Sequence, residues 1–102
     1  MKKVSEMSLV ERMAKAHECD TKFEEYMEKR DAILKAAKKI ANFDCKKFLV
    51  KLAQFYSDKA GEMWLVGSDY SLGIDKDYTG LFPKEFSEED YSYLNYDGVL
   101  SA

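Results

Sequence analysis

Between Thr21 and Phe43, the apolar residues Phe23, Tyr26, Met27, Ile33, Leu34, Ala37 and Ala41 recur at three- and four-residue steps. That spacing puts them on one stripe of a helix. Glu24, Glu28, Asp31, Lys35, Lys38 and Lys39 fill the face behind it. Acids lead and lysines close, the order the helix macrodipole favours. Thr21-Lys22-Phe23-Glu24 reads as a capping box, so a central helix over 21–43 is predicted. Arg30 interrupts the stripe. Its stem is expected to pack while its guanidinium reaches water or a neighbouring acid. The sharper reading makes Arg30 an anchor for a partner, because arginine is enriched at interface hot spots.

Shorter patterns flank this stretch. Ser8-Leu9-Val10-Glu11 is another capping box, and Met7, Val10, Ala14 and His17 share a face. They predict a first helix ending near Cys19, with Asp20 and Thr21 as the break. Asp44 is expected to cap a third helix over 45–60, with Phe48, Leu49, Leu52, Phe55 and Tyr56 turned inward. Gly61 fits a C-terminal stop, although Met63 and Val66 would prolong the stripe if the helix ran on. Two apolar runs, 63–66 and 70–74, surround a Gly-Ser-Asp turn and suggest a small hairpin. Residues 75–83 read as loop, and Ser87-Glu88-Glu89-Asp90 opens a brief acidic helix closed by Gly98. The expected fold is mainly α and a single domain. It has a three-helix bundle over 1–60, an irregular or hairpin segment over 61–86, and a short C-terminal helix over 87–97.

Composition adds limits. A chain of 102 residues with 46% hydrophobic and 14% aromatic residues can bury a core. No apolar run approaches the length of a membrane span. Met1-Lys2-Lys3 has no apolar stretch behind it, and Cys19 and Cys45 are the only cysteines. Free thiols and a cytoplasmic location are therefore expected. The net charge of −3 hides a split, with +4 over residues 1–59 and −7 over residues 60–102. Such asymmetry bears on partners more than on fold.

Four constellations could carry chemistry. Asp75-Lys76-Asp77-Tyr78-Thr79-Gly80 resembles the first half of an EF-hand loop, but position twelve is Phe86 and position nine is Pro83. A solvated turn is the expected reading. His17-Glu18-Cys19-Asp20, with Cys45 elsewhere, lacks the paired spacing of a zinc site, and His17 is expected to pack in the core. No catalytic residue, metal or cofactor is assigned. Lys35, Lys38, Lys39, Lys46, Lys47 and Lys51 would gather where the second helix meets the third, a basic corner suited to phosphate backbones.

The last constellation is the acidic, tyrosine-rich end: Glu85, Glu88, Glu89, Asp90, Tyr91, Tyr93, Tyr96 and Asp97. Tyrosine is favoured at protein interfaces because it buries a large ring behind a polar tip. In size and composition the chain is similar to proteins that imitate DNA phosphate charge, and to many phage-encoded inhibitors of host enzymes. The expected function is a small soluble protein-binding module, an inhibitor or adaptor, contacting its partner through Glu88, Glu89, Asp90, Tyr91, Tyr93 and Tyr96, or through Arg30. The alternative is a nucleic-acid accessory protein using the lysine corner. A homodimer would bury any part of the central stripe its neighbours leave open.

Overall fold

The computed structural model describes residues 2–94. The end of the expected acidic helix, Asn95 to Asp97 with Tyr96, lies outside them. The described residues are mainly helical and contain no strand. Two helices of 30 residues each, α1 (Leu9–Lys38) and α2 (Phe43–Leu72), pack as an antiparallel hairpin. Short 3-10 turns lie at Val4–Glu6 and Glu89–Tyr91. The molecule is elongated, 52 × 23 × 19 Å.

The capping at Ser8 is as its sequence implies: its side chain accepts a hydrogen bond from the Glu11 N–H, 3.2 Å away. The expected break at Asp20-Thr21 does not form. Thr21 Oγ1 donates instead to the His17 carbonyl, which satisfies the hydroxyl inside a continuous helix. The reason for continuity is tertiary. Ala16, Cys19, Phe23 and Tyr26 cross the supposed break at 3-4 spacing, and the first two are buried. A break would interrupt that seam. The expected first and central helices are therefore one, and the bundle has two long helices, not three.

The second correction is at the other end. The connection is four residues, Lys39 to Asn42, and Asn42 rather than Asp44 caps α2, accepting from the Cys45 N–H. The helix then runs through Gly61 and absorbs the first run assigned to a hairpin and the second as far as Leu72. Ala53, Ala60 and Gly67, seven residues apart, are all buried, so the seam with α1 extends well past Gly61. A Cβ on Gly67 would stand 3.1 Å from Cys19 Cβ, marking a close approach of the two backbones. The glycine that stops α2 is Gly73, at φ +70°. Ile74 N–H bonds to Asp69 O and Gly73 N–H to Tyr70 O, the paired bonds of a Schellman cap.

After Gly73 the chain turns back along α2 as an irregular strap, residues 74–94. The expected loop over 75–83 is part of it. The expected helix at 87 is only the 3-10 turn at Glu89–Tyr91. Strap and hairpin are joined by aromatic packing. Phe86 meets Phe48 (5.5 Å) and Phe55 (6.0 Å) edge-on and stacks on Tyr91 (6.2 Å, 12° between planes). Tyr91 is 2% exposed, and its hydroxyl donates to Asp58 Oδ2 at 2.8 Å. Asp58 also accepts from Gln54 Nε2 at 2.9 Å. Nearer the helix end, the Tyr78 hydroxyl donates to the buried Asp69, and Lys59 Nζ bonds the Pro83 carbonyl at 3.2 Å.

This clasp sets a stability expectation. Tyr91→Phe removes one bond to a charged acceptor and should cost about 1–2 kcal/mol. Tyr91→Ala also opens a cavity and should cost about 3–5 kcal/mol. Urea unfolding of the two variants checks both the size and the order of these losses.

Candidate functional site

The acidic strap separates its residues into two roles. Tyr91 faces inward, and the raised pKa of its phenol follows from burial first and from the bond to Asp58 second. Glu88, Glu89 and Asp90 point outward, and Tyr93, 69% exposed, stands beside them. Together with Leu81 and Pro83, residues Asp58, Asp90, Tyr91 and Tyr93 line a polar hollow of about 280 Å³. The rings of Tyr91 and Tyr93 lie 6.2 Å apart. Carboxylates and phenol rings around a small hollow are suited to a lysine or arginine side chain, through ion pairing and cation–π attraction.

Arg30 is not part of this hollow. It lies on α1 with its side chain 29% exposed, and its guanidinium bonds Asp31 Oδ1 through Nε (3.0 Å) and Nη2 (2.8 Å). It lines a groove over the α1–α2 seam with Leu34, Val50 and Leu94 on one side, and with Phe23, Met27 and Trp64 on the other. The strap acids and Arg30 therefore line different hollows, with Phe82 as a wall between them.

The six lysines lie on the segments that flank the turn between the two helices. Lys35 and Lys38 lie in the last turn of α1, Lys39 follows it, and Lys46, Lys47 and Lys51 lie in the opening turns of α2. Lys47 Nζ stands 5.2 Å over the Phe43 ring.

The remaining constellations resolve into local bonds. Asp75 accepts from Ser5 N–H (3.1 Å) and Ser5 Oγ (2.6 Å), tying the N-terminal turn to the strap, and those bonds lower its pKa. Asp77 accepts from the Thr79 hydroxyl and N–H, which lower its pKa likewise. The EF-hand-like oxygens are thus directed at their own chain. Among the described residues no group of three His, Cys, Asp or Glu side chains is placed to share a metal ion. His17 is exposed, which corrects the expectation that it packs in the core: on the continuous α1 it falls beside the seam, while Cys19, two residues on, lies in it. Burial pushes the Cys19 thiol up. Cys45 is exposed on the first turn of α2, and both cysteines are free.

Sequence reasoning missed the two tyrosine–aspartate bonds, because Tyr91 and Asp58 are 33 residues apart and no local pattern pairs either tyrosine with its carboxylate. It also missed the groove beside Trp64, which is 53% exposed. That signal was present as 3-4 spacing in both helices. No helix among the described residues is long and apolar enough to cross a membrane. Compared with protein-family models, with curated proteins and with solved structures, the chain matches none.

The two buried or bonded phenols give a pH expectation. Their ordinary pKa is 10.0, and both are raised in the fold. The unfolded chain therefore ionises first, so the contribution of the clasp is complete below about pH 10 and is lost as pH rises beyond it. Urea midpoints of the native protein should fall steeply between about pH 10 and 11.5, and more gently for Tyr91→Phe. Equal slopes would mean that Tyr91 is not held protonated by the fold.

Proposed function

We propose that the protein is a small protein-binding module, an inhibitor or adaptor, whose outward strap recognises a basic surface on its partner. The observation that carries this reading is the hollow formed by Asp58, Asp90, Tyr91 and Tyr93, with Glu88 and Glu89 exposed near it. Rigid presentation supports it. The inward residues Phe86 and Tyr91 fix the strap to α2, so the outward acids need little further ordering on binding. Charge supports it as well, since residues 60–102 carry −7. Acidic surfaces steer basic partners and suppress wrong ones. Tyr91 and Asp58 hold the strap in place; Glu88, Glu89, Asp90 and Tyr93 make the contact.

A second reading keeps the nucleic-acid role, and the clustering of six lysines at the hairpin tip supports it. One experiment separates the two. The native protein, the strap variant E88K/E89K/D90K and the tip variant K35E/K38E/K39E are used to capture partners from native host lysate, treated with and without nuclease. The expected outcome is loss of the captured protein with the strap variant only, insensitive to nuclease and weakened by salt. The strap substitutions lie on the surface, so stability should stay within about 0.5 kcal/mol of native. Loss with the tip variant and with nuclease would favour the second reading and contradict the first.

A further inference from the structure

The groove over the α1–α2 seam is a second concave surface, lined by none of the strap acids and bordered by Phe82 and Leu94 of the strap. Three hollows of about 550, 430 and 210 Å³ form it end to end. Phe23 and Trp64 are shared by the first two, and Arg30 by the last two. On α1 the lining residues Asp20, Phe23, Met27, Arg30 and Leu34 follow 3-4-3-4 spacing. On α2 the wall repeats in the same way through Ser57, Gly61, Trp64, Ser68 and Ser71. Apart from Trp64 this wall is made of small side chains, which lets another helix approach, and a Cβ on Gly61 would meet nothing within 4 Å.

The charges in the groove say which helix fits. Asp20 makes no ion pair among the described residues, and its Oδ1 is turned toward Gly67 on the groove side. Among the described residues Arg30 pairs only with its exposed neighbour Asp31, an arrangement worth little in water. The stripe thus carries one acid and one base, with Phe23 and Met27 between them. Laid antiparallel on a copy of itself, it superimposes Asp20 on Arg30 and Phe23 on Met27. Each layer then joins an a position to a d position, as antiparallel coiled coils require. A surface complementary to itself under a two-fold axis is an isologous interface.

We propose that two copies of the chain associate through this groove, each α1 lying antiparallel against the other. Asp20 of each copy pairs with Arg30 of its mate, and Trp64 becomes covered. A contact some 20–30 Å long and two helices wide buries on the order of 1,200 Å² in total, the lower end for a specific complex.

Sedimentation equilibrium of the full chain over about 1–300 µM, a range suited to a contact of that size, tests the proposal. The native protein should be a dimer whose single-tryptophan emission shifts to the red on dilution. D20R and R30D should each raise the dissociation constant about 100-fold, because each sets like charges opposite one another. Mixed in equal amounts, the two variants should recover the dimer, since both cross-pairs are then opposite in sign. G61F projects a ring into the groove from a position where its Cβ meets nothing within 4 Å, and should be monomeric while remaining folded by circular dichroism. A native protein that stays monomeric over the whole range would overturn the proposal. So would single variants that remain dimeric, or folded single variants whose mixture stays monomeric.

Discussion

The structure depends on a seam of small residues. Ala16, Cys19 and Ala37 on α1 and Ala53, Ala60 and Gly67 on α2 are all buried, and at Gly67 the short side chains let α2 come close to Ala16 and Cys19 of α1. The closest approach is at Gly67 and Cys19, and further along larger groups, such as the stacked rings of Tyr26 and Tyr56, join the two helices. Phe48, Trp64 and Leu65 remain exposed at the edges of the hairpin. A two-helix hairpin cannot cover both edges by itself, and the rest of the molecule follows from how each is handled.

One edge is covered within the chain. The strap lays Phe86 and Tyr91 over Phe48 and Phe55, and two tyrosine hydroxyls reach carboxylates of α2 at Asp58 and Asp69. Burying a ring the size of Tyr91 contributes roughly 2–3 kcal/mol, enough to matter in a domain of marginal stability. The same segment turns Glu88, Glu89, Asp90 and Tyr93 outward. Its inward residues fix the position of its outward ones, which is how an irregular segment can present a defined surface. The other edge, with Trp64 at its middle, is left open as a groove.

Legibility in the sequence followed the range of the interactions. The helical class, the cap at Ser8 and the lysine tip depend on neighbours within a turn or two, and local patterning revealed them. Helix ends were harder, because Thr21, Gly61 and Asp20 are stop signals only when nothing opposes them. Here the seam opposed them: Cys19 and Gly67 pack against each other whatever their neighbours prefer. The heptad spacing of Ala53, Ala60 and Gly67 was readable, but small residues carry little weight in a pattern of apolar bulk. Local patterning groups Tyr91 with the tyrosines near it. Its burial, its stack on Phe86 and its bond to Asp58, all fixed by the path of the strap, separate it from Tyr93.

If the strap is a third layer of the fold, its backbone must open only when the core opens. Native-state hydrogen exchange on the full chain measures this residue by residue. The Tyr91 N–H, bonded to Glu88 O, and the Leu94 N–H, bonded to Tyr91 O, should exchange in the same cooperative opening as the α2 amides of Phe55 and Asp58. Strap amides that exchange at the rate of an unfolded peptide, while α2 stays protected, would contradict the account.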